Sequence, residues 1–184
     1  GANDPFALRR QALGICRMIM DLNLDIDLSW LLGEALAGYE GKGFKLNAVE
    51  AQEKLTHFVE GRLKALFQGK GHETKIVDSA IGGGSDHLVS LAGRLAALEE
   101  FSKQDGFDQA VLTFKRADNI IRKQGAGHDL TGRVENNFLT EEPEKELAAK
   151  LMEISPRFDE LWQAGEFSQL FGLLGELRPF VDAF

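Results

Sequence analysis

Apolar residues recur along this chain at intervals of three and four rather than two, and most of the stretches that carry them are closed by glycine or proline. That spacing is the signature of amphipathic helices. Asp4-Pro5 is expected to open the first helix, with Leu8, Ala12, Cys16 and Ile19 or Met20 repeating to about Leu22. A Leu/Ala-rich helix from about Leu28 to Tyr39 ends at Gly41-Lys42-Gly43, and a long one follows from Asn47 to Phe67 before Gly69 and Gly71. Lys75 to Ile81 predicts a brief helix; Gly82-Gly83-Gly84 breaks it, and Ser85 or Asp86 caps the next, from His87 to about Phe101. Phe107 to Lys123 is strongly amphipathic, Ala126 to Phe138 has no period and reads as a loop, and Thr140 starts a helix through Leu147, Leu151 and Ile154 with acidic residues at its positive end. Pro156 is expected to kink or restart it. Phe158, Leu161 and Trp162 extend to Gly165, Phe167 to Leu177 forms another helix, and Pro179 opens a last one. No segment alternates long enough to be a strand, so the fold class is all-α, a multi-helix bundle of about eight to ten helices. Trp30 and Trp162 sit on apolar helical faces and are expected in the core.

The helix FDQAVLTFKRADNIIRK is the most informative segment. Placed at roughly 100° per residue, Lys115, Arg116, Asn119, Arg122 and Lys123 fall within roughly 120° of arc, opposite Phe107, Ala110, Phe114, Ala117 and Ile121. Such a stripe also suits an ordinary solvated face, so charge context matters. The chain has 21 Lys plus Arg against 29 Asp plus Glu, a net charge of −8. Bulk electrostatics would repel nucleic acid, leaving a local patch with short-range recognition as the only route to RNA binding. The 184 residues are enough for one sizeable core or two small ones.

Other candidate chemistry falls away. Ser85-Asp86-His87 has the letters of a triad, but triads are assembled from distant positions and adjacent residues point apart. His57, His72, His87 and His128 have no metal-ligand spacing, and Gly82-Gly83-Gly84 lacks the Lys and Ser/Thr of a phosphate-binding loop, so it reads as a flexible break. Asp21, Asp25 and Asp27 straddle the end of the first helix and read as turn formers and caps rather than magnesium ligands. Cys16, the single cysteine, excludes a disulfide framework and a cysteine zinc site. No apolar run approaches a membrane span and no signal-peptide layout is visible, which predicts a soluble cytoplasmic protein. The opening Gly1 and the final PFVDAF run suggest an excised piece.

Three separated motifs, DPFALRRQALGICRMI, FKRADNIIRK and LRPFVDAF, in this order, resemble the β subunit of the bacterial heterotetrameric glycyl-tRNA synthetase over essentially the whole chain. The resemblance implies a C-terminal segment of that subunit. Residues 1–70 would be a helical segment following an HD-like domain, and 71–184 a helical anticodon-binding domain, similar to that of arginyl-tRNA synthetase and truncated at its C-terminus. It also implies partners: glycine tRNA, and an α subunit that carries the class II core with ATP and Mg, in a tetramer of two α and two β. No cofactor, metal or catalytic residue is expected in this segment; the HD-type metal pair lies outside it, and the GGGSDH stretch is more glycine-rich than the family pattern. The anticodon for glycine contains two adjacent cytosines, whose amino donor and N3 and O2 acceptors suit a carboxylate beside an Arg or Asn. Asp118 and Asn119, flanked by Lys115, Arg116, Arg122 and Lys123, supply that set. The competing expectation is a helical scaffold that docks the α subunit or braces the rest of β.

Overall fold

The computed structural model of the chain describes residues 4, 6–39, 41–43, 46–127 and 138–184. Eight α-helices, and no strand, are found among them. They divide into two compact units, Gly1–Glu99 and Glu100–Phe184. None of the described helices is long and apolar enough to cross a membrane.

The first unit holds α1 (Leu8–Asp21), α2 (Leu28–Ala37), α3 (Ala48–Gly69), α4 (Thr74–Gly82) and all but the last two residues of α5 (Leu88–Phe101). The long α3 is its spine and packs against α1, α2 and α4. Its periodic Val59, Leu63, Leu66 and Phe67 are buried with Cys16, Ile19, Leu28, Val77, Leu88, Leu91 and Leu95. Asn47 starts it with a reciprocal capping box to Glu50, satisfying two otherwise free amides. Asp27 caps α2 by accepting from the Trp30 amide at 2.7 Å, as its position in the turn predicted.

Three local expectations need correction. The first helix begins at Leu8 rather than at Asp4-Pro5: Ala7 turns through the left-handed region at φ 57°, and Asp4 Oδ1 accepts a long 3.4 Å bond from the Arg9 amide. Trp30 is 60 % exposed, not core. Its helix is apolar on every side, so periodicity could not tell which side would meet α3; Leu28, roughly opposite Trp30 on the wheel, is the buried one. Gly82-Gly83-Gly84 is a packed turn rather than a loose break. The buried Arg94 side chain donates from Nε and Nη2 to the Ala80 carbonyl at 3.0 and 2.8 Å and also to Gly84 O. A Cβ on Gly83 would lie 3.0 Å from Arg94 Nε, and Gly84 adopts φ 108°, so two of the three glycines have a steric reason.

The second unit holds α6 (Phe107–Gln124), α7 (Glu142–Ala164) and α8 (Phe167–Ala183). α7 and α8 form a hairpin around Ile154, Leu161, Leu170, Leu173 and Leu177, turned by Gly165 at φ 72°. Lys150 on α7 ties the pair, 3.0 Å from Glu153 of the same helix and 3.0 Å from Glu176 of α8. Pro156 was expected to kink or restart its helix and Pro179 to open a last one; both lie inside continuous helices, so neither starts a new one. Packing of the hairpin compensates the backbone bond that each proline deletes. Trp162 is 38 % exposed and lies between Phe158 and Phe167, with ring centroids 6.2 and 5.6 Å away. The expected loop 126–138 lies largely outside the described residues, as does His128.

Candidate nucleic-acid interface

α6 forms where the stripe predicted it, starting after Gly106, whose φ of 89° suits only glycine, and stopping at Gly125. Its buried side is Ala110 and Thr113, with Phe107, Val111, Phe114, Ala117 and Ile120 half-buried. Phe107 meets Phe101 edge-on at 5.4 Å, and Phe101 stacks on Phe171 of α8. Burial of that face holds the opposite one toward solvent. Lys115, Arg116, Asp118, Asn119, Arg122 and Lys123 are all exposed. Ile121 was expected on the apolar side but is 56 % exposed. Among the described residues, hydrogen bonds between α6 and α8 run from Gln109 to Arg116, which meets the Asp182 carbonyl near the end of α8.

A polar clamp fixes the rotation of α6, and periodicity gave no sign of it. Thr113 Oγ1 donates to Asp182 Oδ1 at 2.9 Å, Arg116 reaches the Asp182 carbonyl at 3.4 Å, and Arg178 links Asp182 Oδ2 at 3.4 Å to Gln109. A buried threonine is a poor signal in sequence because it fits either face of a helix. Leu112 was missed as well. It is 65 % exposed and falls near the middle of the cationic arc, visible on the same helical wheel.

The six residues do not act alike. Lys115, Asn119 and Lys123 form a column at four-residue spacing, with no hydrogen-bond or ion-pair partner among the described residues. Arg116 is drawn to the end of α8 on one flank. On the other, Arg122 Nε lies 2.8 and 2.9 Å from the Asp118 carboxylate oxygens, and this bond pushes the guanidinium pKa above its already high ordinary value. The Asp118 carboxylate is therefore engaged, while the Asn119 amide is open. Arg122 and Lys123 also occupy the last turn, where the helix dipole favours cations. An exposed column of two ammoniums and an amide can hold phosphate oxygens and hydrogen-bond the edge of an unstacked base.

Ser85, Asp86 and His87 are not assembled into a triad. Ser85 donates to Glu60 at 2.8 Å, Asp86 accepts from Ser29 at 2.6 Å, and the His87 ring lies 3.6 Å from Asp27. Together with the Leu28 amide bound to the Asp86 carbonyl, these contacts join the start of α5 to α2 and α3.

A family model described as glycyl-tRNA synthetase beta subunit matches residues 1–82. The glycine–tRNA ligase beta subunits of Nitratidesulfovibrio vulgaris strain Miyazaki F and Solidesulfovibrio magneticus are 53 % and 50 % identical over the whole of this chain, and that of Shewanella halifaxensis is 32 % identical. These alignments extend the likeness beyond residue 82 and across α6. The chain spans about a quarter of the length of these relatives, 27 % of the first two. Along its whole length the chain is thus similar to glycyl-tRNA synthetase beta subunits, through the family model over residues 1–82 and through these relatives as far as Phe184.

Proposed function

We propose that this chain is a non-catalytic, tRNA-binding part of a glycine–tRNA ligase beta subunit, and that α6 holds the anticodon region of glycine tRNA while an α subunit performs aminoacylation. The observation that carries the reading is the open Lys115, Asn119, Lys123 column on an acidic chain, held outward by the Asp182 clamp. In this reading Lys115 and Lys123 bind phosphates, Asn119 reads a cytosine edge, and Arg116, Asp118 and Arg122 border the contact. ATP and magnesium belong to the α subunit, the complex contains two α and two β chains, and it works in the cytoplasm. Residues 71–184 would be the anticodon-binding domain, of the helical kind found in arginyl-tRNA synthetase.

The test is a titration of the intact β subunit with glycine tRNA. Lys115→Glu and Arg122→Glu should weaken binding with little change in anticodon preference. Asn119→Ala should cost on the order of 1–3 kcal/mol for the proper anticodon and less for one with a cytosine replaced. Wild-type tRNA affinity in all three, with loss of α-subunit binding in Arg122→Glu, would make the stripe a protein-docking face.

A further inference from the structure

Leu112 lies where α6 has no core to pack against. It is 65 % exposed near the middle of the polar side of the helix, and its neighbours one and two turns away on that side, Asp108, Gln109, Lys115, Arg116 and Asn119, are all polar. Single exposed leucines are ordinary, and exposure alone assigns nothing. The setting says more. Leu112, Lys115, Arg116 and Asn119 stand at i, i+3, i+4 and i+7, the four corners of one hollow on a helix surface. One corner is apolar, one an amide and one an ammonium, the last two without partners among the described residues, while Arg116 at the fourth reaches the Asp182 carbonyl at 3.4 Å. Gln109, beside Leu112, accepts from Arg178, so this edge of the hollow is held against α8 at two points.

The occupant must match all of these groups. A partner helix anchors through a row of apolar contacts at three- and four-residue spacing, and Leu112 has no apolar neighbour at those positions on α6. A nucleotide outside a duplex brings what the corners ask for: a flat face that packs on apolar side chains, a hydrogen-bonding edge and a phosphate. Charge agrees, because Lys115, Arg116 and Lys123 surround the leucine in a chain that carries −8 overall. We propose that Leu112 seats the face of one unstacked RNA base, whose edge meets Asn119 and whose phosphate meets Lys115. This rests on the RNA reading of α6 and adds to it an apolar contact that holds the base rather than reading it. The contact tells an unpaired loop from a duplex, since only an unstacked base offers its face.

The test pairs Leu112→Ala in the intact β subunit with glycine tRNAs in which one anticodon-loop base at a time is replaced by an abasic site. Alanine at an exposed helical position leaves the fold intact, which urea denaturation checks. Leu112→Ala should bind unmodified tRNA roughly five- to tenfold more weakly, with the slope of log affinity against log salt unchanged. That loss should vanish for one abasic tRNA and persist for the others, and Leu112→Met, which keeps an apolar surface of similar size, should bind as wild type. An equal loss with every abasic tRNA would overturn the inference, because Leu112 would then act through the helix and not on a base. If Leu112→Ala binds as wild type while Lys115→Glu weakens binding, the inference falls and the RNA reading stands. If neither substitution affects tRNA binding, both fall; loss of the α subunit by Leu112→Ala would then make Leu112 an anchor for protein.

Discussion

Arg94→Leu tests the turn that joins α4 to α5. The guanidinium is buried and satisfies the Ala80 carbonyl twice and the Gly84 carbonyl once. Hydrogen bonds from a charged donor contribute about 1.5–3 kcal/mol each, but this donor was itself desolvated, a cost visible in its lowered pKa. Leucine restores apolar contact and leaves two carbonyls short of a donor, so the net loss should be about 3 kcal/mol. Gly83→Ala supplies the second arm. Its Cβ would meet Arg94 Nε at 3.0 Å and Cζ at 3.3 Å, and Arg94 is tethered and cannot yield. Overpacking there should cost about 1–2 kcal/mol, offset by the about 0.4–1 kcal/mol that alanine gains from a stiffer unfolded chain. In the Arg94→Leu background the obstructing Nε and Cζ are gone, and Gly83→Ala should become neutral or slightly stabilising. Urea denaturation of the four proteins, followed by circular dichroism, gives the coupling, expected near 1 kcal/mol. If Gly83→Ala costs the same in both backgrounds, or Arg94→Leu costs under about 1 kcal/mol, the turn is not organised by this side chain.

Three further outcomes are expected. Lys115→Glu should leave urea stability within about 0.5 kcal/mol of wild type while making the slope of log tRNA affinity against log salt shallower by roughly 0.7 to 1. Thr113→Val removes the bond from the buried Thr113 hydroxyl to the exposed Asp182 carboxylate and should cost about 1 kcal/mol in chemical denaturation. Cys16 has its pKa raised from 9.0 to about 11, so the folded state keeps a proton that the unfolded state releases above pH 9. That contribution to stability is present below pH 9 and lost progressively up to about pH 11, by about 2–3 kcal/mol; Cys16→Ala should flatten this part of the pH–stability profile, and an unchanged slope would refute it.

The helices were legible where one face is apolar and the ends are marked. α3 with Asn47 and Glu50 and α6 between Gly106 and Gly125 follow directly from spacing and capping chemistry. α2 was found but its orientation was not, since Leu28 and Trp30 weigh equally in a helix that is apolar all round. Pro179 misled as a helix start, and Pro156 as a possible restart, because local propensity favours a break and tertiary packing overrode it. The cationic face of α6 was visible on a helical wheel, whereas its division into open and engaged side chains was not. That division depends on Asp182, some seventy residues from Thr113 in sequence, and on which rotamer lets Arg122 reach Asp118.

The Asp118–Arg122 pair gives the α6 surface a built-in counterion. When a free lysine meets a phosphate, a cation leaves the RNA atmosphere and enters bulk solution, and that release is what salt opposes. On the proposed RNA reading Arg122 must first give up Asp118, which leaves a carboxylate beside the phosphate it meets. Repulsion from that carboxylate offsets part of the attraction, so a count of cations on α6 overstates how steeply binding should fall with ionic strength. A carboxylate inside the patch also makes any loosely placed polyanion less welcome than one whose phosphates fit between Lys115 and Lys123.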